Sequence, residues 1–193
     1  AVDPSGNARG RSPSFQLMTP LVDPPPLNDL VASWKLDEGF GITALDASGH
    51  GLDGTLSLGP AHVLARFGNG LDFNGASGVM NAGTPEELSK VLPLSVAFWI
   101  RPRDLTGTQD IVRKGIAEFG SPLGPPAGWA VQLVTPGLLD LVLDNGTNVP
   151  GDLVFNVPLQ PNVLQHVVIT LRSNGGAAEG ELYLGGNLVD TVF

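Results

Sequence analysis

The stretch Trp34-Lys35-Leu36-Asp37-Glu38-Gly39-Phe40-Gly41-Ile42-Thr43-Ala44-Leu45-Asp46-Ala47-Ser48-Gly49-His50-Gly51-Leu52-Asp53-Gly54-Thr55-Leu56 decides how the chain is read. Leading into it, Leu30, Ala32, Trp34 and Leu36 alternate with Ser33, Lys35 and Asp37, the period of a strand with one face buried, so a sheet is predicted to start here. After Leu36 come five glycines, three aspartates and the knot Ser48-Gly49-His50-Gly51. Such a segment turns repeatedly through conformations that Gly, Asn and Asp adopt at low cost.

Outward from this stretch the pattern is one of short strands bounded by Gly, Pro, Asn or Asp. Val96, Phe98 and Ile100 alternate with the apolar Ala97 and Trp99, which predicts a strand covered on both faces. Trp129 to Val134, Leu138 to Leu143 and Val167 to Leu171 repeat the theme, and Leu182 to Val189 reads as a hairpin turning at Gly185-Gly186. One helix is predicted: Thr84-Pro85-Glu86-Glu87 has the form of a capping box and starts about two turns through Val91. No repeat period or low-complexity run is present, which excludes solenoids and propellers.

The opening pattern W-x-x-D-E-G-x-G followed by D-x-S-G-x-G-x-D-G resembles the laminin-G-like, or concanavalin A-like, lectin and glucanase family. Phe67 to Asn74-Gly75, Leu94 to Pro102 and His166 to Leu171 match later strands of that family in order, so the resemblance spans about residues 30 to 193. It implies an all-β, two-sheet antiparallel jelly-roll sandwich over residues 29–193. In the family the hairpin matching Leu182 to Val189 commonly turns on Asp-Gly and is followed by further strands. Gly185-Gly186 keeps the turn without the carboxylate, and the domain is expected to be short of its last strands.

Residues 1–28 carry Pro4, Pro13, Pro20 and Pro24-Pro25-Pro26, which predicts an extended proline-rich arm. Phe15, Leu17, Leu21 and Val22 are apolar positions that a purely solvated tail does not need, and they are the candidate subunit contacts. Docked back on its own domain or added as a strand to a neighbour, the arm would cover an open sheet edge.

Composition agrees with one β-rich core. The chain has 193 residues, 42% of them hydrophobic, with 26 Gly and 17 Pro, which suits many short strands joined by tight turns. A net charge of −9, from 19 acidic and 10 basic residues, argues against a nucleic-acid partner. With no cysteine there is no disulfide, thiolate metal site or cysteine nucleophile. No apolar run reaches the roughly 20 residues needed to span a bilayer, and no charged-then-apolar leader opens the sequence.

Among chemical constellations, Asp46 and Asp53 are the candidate metal ligands. Two readings of them are open. A Gly-rich loop can aim carbonyls at one structural Ca2+ while both carboxylates supply charge, as in many relatives of this pattern, though those draw a further carboxylate from a later strand not found here. Alternatively both side chains cap turns through backbone hydrogen bonds. No paired-carboxylate motif of the E-x-D-x-x-E kind is present: Asp37 and Glu38 are adjacent, and Glu179 and Glu181 are expected to flank a glycine in a turn. His50, His62 and His166 lack metal-site spacing. Of the aromatic residues that offer a sugar-stacking platform (Trp34, Trp99, Trp129 and Tyr183), Trp34 shares a face with Leu30 and Leu36 and is assigned to core. Trp129, following Pro125-Pro126-Ala127-Gly128, is the candidate ligand-binding residue.

The expected function is a non-catalytic recognition or adhesion module, glycan- or protein-binding, on a cell surface or a secreted protein. The alternative is a structural subunit of a surface assembly, such as a virion decoration, a tail fibre or an extracellular filament, that self-associates through its arm.

Overall fold

The computed structural model describes residues 30–89, 93–115, 128–144, 151–174 and 177–193. The arm assigned to residues 1–28, with Phe15, Leu17, Leu21 and Val22, lies outside them. The described part is almost entirely antiparallel β and, from Val31 to Phe193, forms one compact unit.

Two four-stranded sheets make the body. One has the order β10-β9-β8-β7, with β7 Thr108–Lys114, β8 Gly128–Val134, β9 Leu138–Asp144 and β10 Gly151–Val154. The other has the order β13-β12-β11-β6, with β6 Leu94–Ile100, β11 Gln165–Asn174, β12 Ala177–Leu184 and β13 Asn187–Val192. Alternation sends Trp129, Val131, Leu133, Leu139, Leu141 and Leu153 from the first sheet toward Val167, Ile169, Leu171 and Leu182 of the second. Phe155 and Leu159, just past β10, complete this shared core. That is the two-sheet sandwich implied by the sequence.

Two smaller sheets precede the body: β1 Thr43–Ala44, β2 Gly54–Ser57 and β5 Val79–Asn81 in the order β1-β2-β5, and the hairpin of β3 Ala61–Leu64 with β4 Asn69–Asp72. The hairpin β12-β13 turns at Gly185 and Gly186, whose φ values of 58° and 87° are those of a type I′ turn that glycine enters without steric cost.

Four expectations are corrected. Residues 30–36 do not form a strand; the segment contributes an isolated bridge between Trp34 and Asp46. Leu36 enters the left-handed region (φ 60°) and the Ser33 N–H is taken by the Asp46 carboxylate, so no ladder can extend from here. Of the helix predicted to run through Val91, the described residues show a 3-10 turn, Glu86–Ser89, closed by Leu88 N–H to Pro85 O at 3.3 Å, and residues 90–92 lie outside the described ones. The turn is short because 3-10 hydrogen bonds have poor geometry and seldom run beyond three or four residues. β6 is covered on one face only: Leu94, Val96, Phe98 and Ile100 pack inward, whereas Ser95, Ala97 and Trp99 are exposed. Glu179 and Glu181 sit on strand β12, not in a turn, and the two-residue period puts both on the same face.

Candidate functional site

The Gly-rich stretch is held by Asp46. Its Oδ1 accepts from the N–H of Ser33 (3.0 Å) and Ser48 (2.9 Å), and its Oδ2 accepts from Ser48 Oγ (2.7 Å) and the Leu52 N–H (3.1 Å). Burial acts to raise the Asp46 pKa, but the hydroxyl of Ser48 and the three N–H donors outweigh it and hold the carboxyl far below its usual range. Asp53 Oδ1 accepts the Asp46 N–H at 2.8 Å, Glu38 Oε1 accepts the Leu45 N–H at 2.7 Å, and the Trp34 indole N–H donates to Leu52 O at 2.7 Å. The knot is therefore a set of turns closed by side-chain oxygens.

A calcium ion needs six to eight free oxygen ligands. Both oxygens of Asp46 already face two donors each, and the described residues hold no group of three or more Asp, Glu, His or Cys able to cage a metal. In this arrangement Asp46 and Asp53 cap turns, and an ion bound through Asp46 would compete with the four donors that its carboxylate already holds.

Trp129 is 3% exposed, on β8, with its ring in the core and its indole N–H donating to Leu88 O at 2.9 Å. It has no face to offer a ligand. The Gly128 preceding it begins a strand, so the proline-rich run does not project the ring outward. Trp34 is half-buried, anchored at its N–H.

An exposed aromatic cluster lies elsewhere, on the outward face of the β13-β12-β11-β6 sheet. Register sets Trp99 of β6 directly opposite His166 of β11, with ring centroids 4.9 Å apart. Phe67, in the turn of the β3-β4 hairpin, meets Trp99 edge to face at 5.9 Å. The Arg66 guanidinium lies 5.0 Å from the Trp99 centroid and 5.4 Å from that of Phe67, within cation-π range. Trp99 is 45% exposed and Phe67 67%.

Several contacts position this cluster. Arg103, three residues past β6, grips Asp72 at the end of β4 through two bonds (2.8 and 2.6 Å) and also reaches Phe73 O. Asn69 Nδ2 donates to Asp37 O at 3.1 Å, and the Ala65 N–H bonds Gly68 O at 3.1 Å. The hairpin is thereby tied to the Gly-rich segment and to the end of β6, so its turn sits over Trp99. Sequence reasoning named Trp99 but assigned it to a covered strand; the Arg66-Phe67 pair beside it carried no local signal.

Farther along the same face, Arg172 Nη2 donates to Glu179 Oε1 (2.6 Å) and Glu181 Oε1 (3.0 Å). Asn174 donates to Glu179 Oε2 (2.6 Å), while Thr170 and the Tyr183 hydroxyl donate to Glu181 Oε2 (3.1 and 2.8 Å). Hydrogen bonds from Arg172 and Asn174 hold the Glu179 carboxyl below its ordinary pKa, against the opposing effect of burial. On the outward face of the other sheet Asp140 is 8% exposed and its Oδ1 has no hydrogen-bond partner; burial, then the charge of Asp152, pushes its pKa up to about 6.

Comparison with known proteins agrees with this architecture. The laminin-G model of the concanavalin A-like lectin/glucanases superfamily matches residues 74–192. No curated protein sequence matches the chain. Among solved structures the chain is similar to an S-layer domain-containing protein (residues 221–444) from Clostridium thermocellum, at 21% identity and a TM-score of 0.53 over 83% of this chain and 70% of that one. At that identity the likeness is one of fold. Together with the two four-stranded sheets and their common core, the match over more than half of its length shows that the chain belongs to the concanavalin A-like lectin/glucanases superfamily.

Proposed function

We propose that this chain is a non-catalytic recognition module of a surface or secreted protein, and that it binds a glycan on the outward face of the β13-β12-β11-β6 sheet. The observation that carries this reading is the cluster of exposed Trp99 and half-buried His166 on the paired strands β6 and β11, with exposed Phe67 of the β3-β4 turn packed against Trp99. Half-exposed aromatic rings fixed on a sheet offer apolar faces to pyranose C–H groups at little entropic cost. Family membership is consistent with a binding role, since this fold carries many functions and the site must decide among them. The similar solved structure is that of an S-layer domain-containing protein, which supports a surface location, and among the described residues no helix is long and apolar enough to cross a membrane.

The carboxylates support binding over hydrolysis. A glycosidase needs one carboxyl kept protonated by a raised pKa beside a second that is ionised. Glu179 and Glu181 share one guanidinium, and Arg172 favours the ionised form of Glu179. Asp140 does have a raised pKa but is closed off from solvent. The alternative of a structural subunit that uses Phe15, Leu17, Leu21 and Val22 for contacts is tested separately, by comparing sedimentation of the full chain with that of a chain lacking residues 1–28.

A glycan array probed with the wild type and with Trp99→Ala tests the proposal. Binding by the wild type that is lost in the variant, with unchanged circular dichroism, is the expected result. A silent array, or equal signals from both proteins, would sink it.

A further inference from the structure

Arg103, Arg113 and Arg172 each pair with a carboxylate. Among the described residues Arg66 and Arg101 have no ion-pair partner, and of the two it is Arg66 that lies over aromatic rings, those of Trp99 and Phe67. A guanidinium held by cation-π contact rather than by a carboxylate keeps its N–H donors for a planar anion, which it can take through parallel hydrogen bonds. The hairpin that carries Arg66 is fixed by Arg103 to Asp72 and by Asn69 to Asp37, so the cation is presented on a braced turn.

Building on the reading of this face as glycan-binding, we propose that Arg66 seats a carboxylate and that the ligand is a polysaccharide containing hexuronate residues. A hexuronate carries its carboxylate directly on the pyranose ring, so an apolar C–H face and an anion arrive together. Arg66 takes the anion while the exposed parts of Phe67 and Trp99 take the ring face. An acidic peptide brings its carboxylate on a flexible stem without such a face and leaves the aromatic surface unused. The net charge of −9 repels any long polyanion at a distance, so the attraction is local to Arg66 and short oligomers are the suitable probes.

The test is calorimetric titration of the full chain with tetrasaccharides of galacturonate, glucuronate, mannuronate and guluronate, alongside cellotetraose, xylotetraose and a tetraglutamate peptide. At least one hexuronate tetramer should bind at least about tenfold more tightly than either neutral sugar or the peptide. Arg66→Gln, an exposed substitution, should cost about tenfold or more in that affinity, with Arg66→Lys recovering only part because it lacks the planar fork. Equal binding of neutral and acidic sugars, insensitive to Arg66→Gln, would overturn this inference and leave the glycan-binding role standing. Silence from every sugar would overturn both. Peptide binding equal to that of the best hexuronate would overturn the sugar assignment.

Discussion

Two aspartates of opposite electrostatic sense show how local surroundings set a side chain's part in the fold. Asp46 is stabilised as an anion by its donors, so its contribution to stability is present above the ordinary carboxylate pKa and is lost as pH falls. Asp46→Asn puts an amide group where Ser48 Oγ or the Leu52 N–H now donates, and the melting temperature at pH 7 should fall. Calcium or chelator should leave the wild-type melting temperature unchanged, because the carboxylate is committed to protein donors; a chelator-induced drop in a scanning calorimeter would reverse the assignment. Asp140 runs the other way. Its folded pKa of about 6 lies above the unfolded value, so the folded state holds a proton that the unfolded chain has lost between about pH 4 and pH 6. Its contribution is full below that window and is lost as pH rises through it. Charged groups on this face include Asp152, which adds to the shift, and Asp110 and Arg113, which pair with each other. Urea denaturation should find Asp140→Asn more stable than the wild type at pH 8, by on the order of 2 kcal/mol, with the gain shrinking toward pH 5.

At the scale of elements, periodicity predicted well where two faces differ. β8, β9, β11 and the β12-β13 hairpin fall where alternation and Gly185-Gly186 put them. It failed where a backbone donor had a better partner than a neighbouring strand. Ser33 gives its N–H to Asp46, and the apolar alternation around Trp34 therefore marks a bridged turn rather than a strand. The exposure of Trp99 was hidden for another reason: Ala97 and Trp99 are apolar, and composition cannot tell a second buried face from an exposed aromatic one. Close strand approach gives a sharp test of pairing. A Cβ at Gly128 would stand 1.9 Å from Lys114 O, a contact no side-chain rotation relieves. Gly128→Ala must open the β7-β8 ladder at that end, and a loss of roughly 2 kcal/mol or more in chemical denaturation is expected, with amide exchange rising first in β7. An unchanged exchange pattern would contradict the register.

For the whole molecule, the decisive interface is the one between the two four-stranded sheets. Phe155 is fully buried there, next to Leu153 and within reach of Gly180. Phe155→Ala should cost about 3 to 5 kcal/mol and lower every spectroscopic probe together if the two sheets unfold as one unit. Probes that separate would mean that the sheets melt independently. The sequence by itself determined that the fold is all-β, because glycine-bounded alternation of apolar residues marks short strands, with the two-sheet arrangement implied by the family resemblance, and it determined the turn at Gly185-Gly186, which acts between near neighbours; for Asp46 and Asp53 it left ion binding and turn capping both open. Only the tertiary structure decided which aromatic rings face water. Trp129 is drawn into the core by the pairing of β8 with both neighbours, and Trp99 is left open because its strand covers the core with the opposite face. The meeting of Arg66, Phe67, Trp99 and His166 depends on strands far apart in the chain, and a contact set by long-range register leaves no mark in local sequence.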